Sequence, residues 1–243
     1  MASLTTIEQF SALFEQGGMS VSGEQYAAFE KYADLLCEWN EKMNLTAITD
    51  PEGIALKHFY DSVYPFTLLP PDEGASLIDV GTGAGFPSVP MGIMRSDLKL
   101  TLLDSLQKRL TFLGEVCGQI GVQAELIHGR AEESGRSIKG GNPLRESFDI
   151  ATARAVANLR DLSEYCLPFV RVGGRFYALK GRDGAAELSD AKSAVKLLGG
   201  EVELCREYAL PSGDERTLIV IRKAKKTPEK YPRNAGQMKK KPL

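Results

Sequence analysis

The sequence lacks long hydrophobic runs. No apolar stretch among its 243 residues reaches about 18 residues, the length that a membrane-spanning helix needs. The amino-terminal segment is polar and acidic, without the apolar core that secretory signals have. These absences predict a soluble, cytoplasmic protein that does not contact a membrane.

Cysteine and histidine are also scarce. The four cysteines lie far apart, each within an apolar pattern, and there are only two histidines. Neither a zinc site of the Cys-x-x-Cys type nor a disulfide framework is indicated, so we expect no metal. These residues are Cys37, Cys117, Cys166, Cys205, His58 and His128.

Basic residues are concentrated near the carboxyl end. Residues 222–241 contain nine Lys or Arg and one Glu, which gives this segment a charge of +8. Because the whole chain carries −2, residues 1–221 carry −10. We expect residues 224–243 to form a mostly extended basic tail that contacts phosphate groups. The alternative is a solvated terminus that keeps the protein soluble.

The stretch Ser76–Pro87 organises the rest of the chain. A short apolar strand runs directly into three glycines at alternate positions, Gly81, Gly83 and Gly85. The absence of three β-carbons allows positive φ and lets a ligand lie against the backbone. Open parallel sheets bind their ligands at the carboxyl ends of their strands, so this stretch predicts a ligand-binding loop.

Three kinds of nucleotide loop can be compared with this one. A phosphate-binding loop of the Walker type ends in Gly-Lys-Ser/Thr, which does not follow Gly85. A dinucleotide loop has Gly-x-Gly-x-x-Gly, whereas this chain has Gly-x-Gly-x-Gly followed by Phe86-Pro87. The carboxylate of Asp79 would repel a pyrophosphate and attract a cation. S-adenosylmethionine, which carries an ammonium and a sulfonium group and no phosphate, therefore fits best.

Two further strand ends extend this site. An apolar strand leads to Asp104, 23 residues beyond Gly81, where a carboxylate can accept hydrogen bonds from both ribose hydroxyls. The alternative is a solvated aspartate at a strand end. After the next strand, the backbone of Ala131 and the side chain of Glu132 are expected to meet the adenine edge.

The order of elements predicts the fold. Three amphipathic helices precede the first strand, the third beginning at Asp50-Pro51; strands and helices then alternate, and the last two strands form an antiparallel hairpin. We predict an α/β, Rossmann-like class I methyltransferase fold, a seven-stranded and mostly parallel sheet with a closing antiparallel hairpin, preceded by a small N-terminal helical cap. The expected domains are the cap at 1–72, packed on the core, the S-adenosylmethionine-dependent methyltransferase domain at 73–223 and the tail at 224–243.

Two cations follow later strands. Arg154 and Lys180 lie at the ends of the fourth and fifth strands, beside the expected cofactor cleft, where they suit an anionic substrate. The alternative is that both form surface salt bridges.

Other polar residues invite different interpretations. His58, Asp61 and Ser62 share one helical face, which is compatible with a hydrolase, but the chain has no Gly-x-Ser-x-Gly elbow. His128 lies in an alternating apolar run and is expected to be a packed core residue.

Taken together, the motifs resemble those of one family. They are Lys42-Met-Asn-Leu-Thr46, Lys57-His-Phe-Tyr-Asp-Ser62, Asp79-Val-Gly-Thr-Gly-Ala-Gly-Phe-Pro87, Leu102-Leu-Asp-Ser105, Gly129-Arg-Ala-Glu-Glu133, Ala153-Arg-Ala155, Leu179-Lys-Gly181 and the basic tail from Tyr231. This combination is similar to the bacterial small-subunit ribosomal RNA guanine-N7 methyltransferase G, also called glucose-inhibited division protein B. The resemblance spans nearly the whole chain.

The resemblance implies a reaction and a set of contacts. It implies that one guanine in the 530-region loop of 16S rRNA is methylated at N7 with S-adenosylmethionine as the donor. It also implies cofactor contacts for one group of residues, Gly81, Phe86, Ala131, Glu132 and Arg154. Ser105 joins the expected cofactor site, and Asn44 and His58 join Arg154 and Lys180 as catalytic candidates. The family commonly has Gly where this chain has Ser88, which could narrow the approach to the loop.

Two other functions remain open from the sequence. One is a nicotinamide-dependent oxidoreductase, and the other is an RNA-binding or ribosome-assembly factor with a vestigial pocket. The glycine spacing disfavours the first, and the set of Asp79, Asp104 and Glu132 disfavours the second. The expected partner is 16S rRNA, within the small subunit or an assembly intermediate, and the protein is expected to be a monomer.

Overall fold

The computed structural model describes residues 3–154 and 157–243; Ala155, within a motif quoted above, lies outside them. The strands are β1 (Ser76–Val80), β2 (Lys99–Asp104), β3 (Ala124–His128), β4 (Phe148–Arg154), β5 (Val170–Lys180), β6 (Gly200–Ala209) and β7 (Glu215–Lys223). The α-helices are α1 (Ile7–Glu15), α2 (Gly23–Met43), α3 (Pro51–Gly53), α4 (Asp61–Leu68), α5 (Ser88–Met94), α6 (Gln107–Ile120), α7 (Ala131–Ser134), α8 (Leu159–Cys166), α9 (Gly184–Leu197) and α10 (Ala235–Lys240). A π-helix covers Ile54–Tyr60.

The strands form one seven-stranded sheet in the order β3-β2-β1-β4-β5-β7-β6. Strands β1 to β5 pair in parallel, and β7 runs antiparallel to both β5 and β6. The predicted mostly parallel sheet with a closing antiparallel hairpin is therefore confirmed. The strand order switches between β1 and β4: β2 and β3 lie on one side of β1, and β4 and β5 lie on the other. At such a switch point, a crevice opens at the carboxyl ends of the strands.

Apolar side chains cover both faces of the sheet. On one face, Phe10, Phe29 and Tyr32 of the N-terminal helices are buried in one cluster with residues of β1, β2 and α6. On the other face, α8 and α9 pack with the alternate residues of the strands. The N-terminal helices thus share a core with the sheet. None of the helices in the described parts of the chain combines the length and the hydropathy that spanning a bilayer requires.

The third predicted helix is not a single α-helix. The side chain of Asp50 caps it by accepting a hydrogen bond from the Gly53 amide at 2.7 Å. The chain then winds as a π-helix before returning to α at Asp61, whose amide bonds the carbonyl of Leu56, five residues back. Such π-helical turns are frequent at functional sites, and the apolar spacing of the sequence does not distinguish them from an α-helix.

His128 is exposed, so the prediction of a packed core residue is wrong. The physical reason is that β3 is an edge strand whose residues are exposed or only half-buried. Its ring Nε2 lies 3.1 Å from the carbonyl oxygen of Ser105. An alternating pattern indicates a half-buried strand, but it does not tell which set of side chains faces the core.

The C-terminal tail, residues 224–243, is not the extended arm that its composition predicts. It forms α10, and it buries the side chains of Tyr231 and Met238. Arg233 forms a 2.6 Å ion pair with Glu164, which is 1% exposed. The docking could not be predicted from the sequence, because the tail has few apolar residues and is held mainly by polar groups whose partners are distant in sequence.

Removal of the tail should therefore destabilise the protein. Truncation after Lys223 removes the ion pair of Glu164 with Arg233 and the buried side chains of Tyr231 and Met238, which together should cost about 3 kcal/mol or more. We expect urea unfolding at pH 7 to show a clearly lower midpoint for the truncated chain. The control is the full-length triple variant Lys239→Gln/Lys240→Gln/Lys241→Gln, which changes charge without removing Arg233. Equal midpoints for the truncated and intact chains would show that the tail contributes nothing to the fold.

Candidate functional site

The glycine loop leaves β1 in the conformation that its composition predicts. Gly81, Gly83 and Gly85 have positive φ values of 74°, 62° and 97°. The amides of Gly81 and Thr82 both donate to the carbonyl of Leu103, at 2.8 and 3.1 Å, which ties the loop to β2. At Gly83 an added Cβ would meet only a carbonyl oxygen at 3.9 Å, so this part of the loop faces open space.

Gly85 has a packing role. A Cβ at this position would lie 2.6 Å from the hydroxyl of Tyr32 and 2.7 Å from the side chain of Leu113. The Tyr32 hydroxyl donates to the carbonyl of Ala84. The second N-terminal helix therefore rests directly on the loop, and Gly85 permits that approach.

Asp79 is completely buried beneath the loop. Its Oδ2 accepts hydrogen bonds from the hydroxyls of Thr82, at 2.9 Å, and Ser88, at 2.5 Å. Its Oδ1 has no partner among the described residues. Burial is the main cause that raises the pKa of Asp79 to about 7, against the lowering effect of these hydrogen bonds. Ser88 thus points inward onto Asp79, and the expectation that it narrows the approach to the loop is wrong.

The first cavity, called here the glycine-loop cavity, has a volume of about 220 Å³. It brings together five of the residues predicted for the cofactor, Gly81, Asp104, Ser105, Ala131 and Glu132. The other lining residues are Val80, Leu103, Gly129, Arg130, Ala157 and Tyr165. Arg130 lies in the Gly129–Glu133 motif quoted above, but no role was predicted for it; Tyr165 was missed because it lies on α8 and not after a strand.

Asp104 is held in place by backbone donors. Its Oδ2 accepts from the amide of Gly83 and its Oδ1 from the amide of Leu106, both at 2.9 Å. Arg109 lies 3.4 Å from Oδ2. The side chain is 2% exposed, so the alternative of a solvated aspartate is wrong. Each carboxylate oxygen can accept more than one hydrogen bond, so Asp104 retains capacity for a ligand.

The opposite wall of this cavity is formed by α7 and α8. The carboxylate of Glu132 is 2.6 Å from Arg130 Nε and largely buried. Tyr165 lines the cavity from α8, and burial raises the pKa of its hydroxyl. With Asp104 and Glu132 against the single cation Arg130, the cavity suits a nucleoside ligand without phosphate. Together with Oδ1 of Asp79, which is buried and has no partner among the described residues, these hydrogen-bond acceptors fit S-adenosylmethionine.

A second cavity, called here the arginine cavity, has a volume of about 430 Å³. It contains the predicted catalytic candidates His58, Arg154 and Lys180. It is completed by Ile48, Lys57, Asp61, Leu179, Gly181, Glu187 and Arg216. Four cations and two carboxylates line it, which leaves an excess of positive charge for an anionic substrate.

Arg154 is largely buried at the inner end of the arginine cavity. Its guanidinium carbon lies 4.9 Å from the ring centroid of Phe86, and its Nη1 donates to the hydroxyl of Ser62 at 3.1 Å. Asp61 lies 3.9 Å from Arg154 and also accepts from Arg216 Nε at 3.0 Å. Arg216 was missed from the sequence, because it is 155 residues away from Asp61.

Lys180 is 8% exposed and does form an ion pair, with Glu187 at 2.8 Å. Its Nζ also donates to the carbonyl of Ala157 at 2.8 Å. The pair is buried at the cavity wall, so the alternative of a surface salt bridge is wrong for Lys180. Because Ala157 also lines the glycine-loop cavity, Lys180 connects the walls of the two cavities.

His58 stacks on Phe86, with ring centroids 4.5 Å apart and planes 8° apart. Its Nε2 lies 2.8 Å from the hydroxyl of Thr46. Burial, and secondly the nearby charge of Arg154, lower the pKa of His58 to about 4. Ser62 donates to the backbone carbonyl of His58 and not to its ring, so the hydrolase interpretation is wrong.

Asn44 does not line either cavity. It is exposed and terminates α2 with a left-handed conformation, φ 48°, which asparagine tolerates better than most residues. This turn directs the chain towards Thr46, the partner of His58.

The chain is similar in sequence to known proteins. The chain matches the family described as GidB, rRNA small subunit methyltransferase G, over residues 25–219. It is 48% identical over 237 residues to "Ribosomal RNA small subunit methyltransferase G" of Geobacillus thermodenitrificans, which covers 97% of this chain and 98% of that protein. It is 50% identical over 241 residues to the protein of the same name from Lactobacillus delbrueckii subsp. bulgaricus, with 97% and 99% covered.

Among solved structures, a methyltransferase from Pyrococcus furiosus is similar in fold. The TM-score is 0.54 at 16% sequence identity, and the match covers 80% of this chain and 97% of that one. At this identity the likeness supports the class I methyltransferase fold alone.

The low pKa of His58 predicts an acid-sensitive fold. Below pH 6.5, the ordinary pKa of histidine, His58 is protonated in the unfolded chain, but in the folded chain it stays neutral down to about pH 4. Stability is therefore lost as the pH falls through this window, by about 3 kcal/mol from this group. We expect His58→Gln to lose less unfolding free energy than the wild type between pH 6.5 and 4, in urea titrations. His128→Gln, which removes the exposed histidine, is the matched control. Parallel pH curves for His58→Gln and wild type would contradict the assignment.

Proposed function

This chain belongs to the family of rRNA small subunit methyltransferase G, and from this we propose that its two cavities bind different substrates. It is accordingly an S-adenosylmethionine-dependent enzyme that methylates small-subunit rRNA, and its family acts on guanine N7 in 16S rRNA. The family assignment rules out the oxidoreductase alternative. In this proposal the glycine-loop cavity binds the nucleoside part of the cofactor, and the arginine cavity binds the guanine.

The contents of the glycine-loop cavity support the first half of the proposal. Asp104 would accept hydrogen bonds from the ribose hydroxyls, and the chain at Ala131 and Glu132 would meet the adenine. Gly81 would lie against the cofactor without a β-carbon in the way. Asp79 would attract the methionine ammonium from beneath the loop, while Gly83 and Phe86 shape the loop that separates the two cavities.

The charge of the arginine cavity supports the second part of the proposal, that this cavity binds the guanine. Lys57, Arg154, Lys180 and Arg216 outnumber the carboxylates of Asp61 and Glu187, although residues 1–221 as a whole carry a net charge of −10. A guanine that is rotated out of an RNA loop brings its phosphates with it, and cations at the cavity favour them. This excess of positive charge beside the glycine loop is the single observation on which the placement depends.

The reaction needs positioning more than proton transfer. When bound, S-adenosylmethionine supplies a methyl group already activated by its sulfonium centre. Guanine N7 offers a free lone pair and loses no proton, so no general base is required. The low pKa of His58, about 4, and its stacking on Phe86 suit a neutral group that shapes the site. Fixed walls would then hold N7 at near-attack distance from the methyl group.

Arg154 would orient the guanine and not activate it. Arginine commonly binds guanine through O6 and N7 together, but a hydrogen bond to N7 would occupy the lone pair that attacks the methyl group. We therefore assign Arg154 to O6 or to a neighbouring phosphate. Its location in the arginine cavity supports this role over the cofactor contact that the family resemblance implies.

The partner and the location belong to the same proposal. The enzyme would act in the cytoplasm as a monomer on 16S rRNA, within the small subunit or an assembly intermediate. The exposed lysines of α10 would attract the RNA backbone.

Asp104→Ala should weaken binding of S-adenosylmethionine by about 1.5 to 3 kcal/mol, the range for a hydrogen bond to a charged group. Isothermal titration calorimetry measures this directly. The matched control is Asp97→Ala, which also removes a carboxylate bonded to an arginine and a backbone amide, at the opposite end of β2. If the two variants bind the cofactor equally well and both remain folded, Asp104 does not belong to the cofactor site.

Arg154→Lys should reduce turnover more than cofactor affinity. Lysine keeps the positive charge but cannot reproduce the planar, bidentate geometry of the guanidinium. We expect kcat to fall by roughly tenfold or more, while the Kd for S-adenosylmethionine changes by less than about threefold. A large loss of cofactor affinity with kcat preserved at saturation would instead place Arg154 on the cofactor.

A further inference from the structure

The outer wall of the glycine-loop cavity is weakly supported by its own elements. It consists of the segment from Gly129 to Glu132, with the four-residue helix α7, and of Tyr165 on α8. The segment follows β3, an edge strand of which every residue is exposed or half-buried. A single helical turn has little stability of its own, so this wall needs other contacts to keep its shape.

We propose that the C-terminal tail supplies these contacts, and that Arg145, Glu164 and Arg233 are positioning residues for the cofactor. The inference rests on the proposed function, in which the glycine-loop cavity takes the nucleoside of S-adenosylmethionine. The tail itself contributes no residue to the lining of either cavity. Its effect must therefore pass through the wall.

Arg145 joins the tail to the end of α7. Its Nη1 donates to the carbonyl of Gly135, at 2.7 Å, and to that of Tyr231 in the tail, at 2.8 Å. Its Nη2 donates to the carbonyl of Thr227 in the tail, also at 2.8 Å. One guanidinium thus binds backbone on both sides of the junction. Gly135 directly follows α7, and its amide donates to the carbonyl of Ala131 at 2.9 Å. Because Ala131 lines the cavity, Arg145 is connected to the cavity wall through Gly135.

Glu164 joins the tail to α8. Its two carboxylate oxygens accept hydrogen bonds from the amide, Nε and Nη2 of Arg233, at 2.8, 2.8 and 2.6 Å. The Arg233 side chain is 18% exposed and that of Glu164 is 1% exposed, so the pair is shielded from screening by solvent. Glu164 immediately precedes Tyr165 in α8, and Tyr165 lines the cavity. The pair therefore fixes the turn of helix that presents Tyr165.

The start of the tail is locked by a third set of contacts. The ammonium of Lys223, which is 0% exposed, donates to the carbonyl of Leu167 at 2.5 Å and to the hydroxyl of Thr227 at 2.8 Å. Glu146 accepts from the amide of Thr227 at 2.7 Å. Since Glu146 is the neighbour of Arg145, the tail and the loop that follows α7 form one hydrogen-bonded unit. Displacement of the tail would release α7 and α8 together.

The coupling must be reciprocal. If the docked tail favours binding of the nucleoside, then the bound nucleoside must favour docking of the tail by the same factor. Two amides report on docking, because those of Thr227 and Arg233 donate to carboxylates outside the tail, Glu146 and Glu164. Their exchange with solvent requires the tail to loosen locally.

Hydrogen exchange of the wild-type full chain, with and without S-adenosylhomocysteine, tests this without any substitution. We expect peptides that cover residues 227–233 to exchange several-fold more slowly with the nucleoside bound, together with peptides from α7 and α8. Peptides from α1, which packs on α2 and the π-helix, serve as an internal reference for a remote element. Protection that is confined to the cavity lining, with the tail unchanged, would overturn the inference.

A variant separates cofactor binding from catalysis. Arg145→Met keeps the length of the side chain and removes all its donors. We expect the KM for S-adenosylmethionine to rise about tenfold, within the usual range of coupling between sites, with kcat at saturating cofactor unchanged. Arg233→Lys, which keeps a cation opposite Glu164, should give a smaller rise and remains informative if Arg145→Met does not fold. Wild-type KM values in a folded variant would overturn the inference.

The matched control is Lys239→Gln/Lys240→Gln/Lys241→Gln, which removes three exposed tail charges and none of the anchoring side chains. It should bind S-adenosylmethionine like the wild type and bind RNA less tightly, with a shallower salt dependence.

Different results would refute the proposed function and the proposed role of the tail. Unchanged cofactor binding by Asp104→Ala would refute the assignment of the cavity. If Asp104→Ala binds the cofactor more weakly but Arg145→Met has the KM of the wild type, only the role of the tail is refuted.

Discussion

The contacts of the Phe86 ring hold the three parts of the site together. The ring stacks on His58 at 4.5 Å and on Tyr32 at 5.5 Å, and it lies 4.9 Å from the guanidinium of Arg154. His58 and Tyr32 belong to the N-terminal helical region, Phe86 belongs to the glycine loop, and Arg154 ends β4. Aromatic and cation–π contacts of this kind are individually modest, but they are directional. Because all three meet at one ring, a shift of the helices would displace the loop and the arginine together.

Charge separates the two cavities that meet at this ring. The glycine-loop cavity is lined by Asp104, Glu132 and a single cation, while the arginine cavity has more cations than carboxylates. A cationic methyl donor without phosphate and an anionic RNA are thereby favoured on different sides of one loop. Most of the charged side chains are also held by backbone groups or by partners, so little reorganisation is needed when the substrates bind.

The sequence predicted the elements that local patterns determine. The glycines with positive φ, the strand before them and Asp104 at the next strand end follow from short-range rules of conformation and topology. The rest depends on contacts between distant segments. The π-helix that re-aims Asp61, the pairing of Asp61 with Arg216 and the docking of the tail through Glu164 leave no periodic signal in the chain. The inward rotation of Ser88 onto Asp79 likewise depends on how α5 begins, which the motif alone does not specify.

A crystal structure of the protein with S-adenosylhomocysteine would test most directly whether the glycine-loop cavity binds the cofactor beside the arginine cavity. We expect the ribose hydroxyls to bond to Asp104, the adenine to lie against Ala131 and Tyr165, and the sulfur to point past the glycine loop towards the arginine cavity. A nucleoside bound outside the glycine-loop cavity, or one whose sulfur is directed away from Arg154, would contradict this expectation.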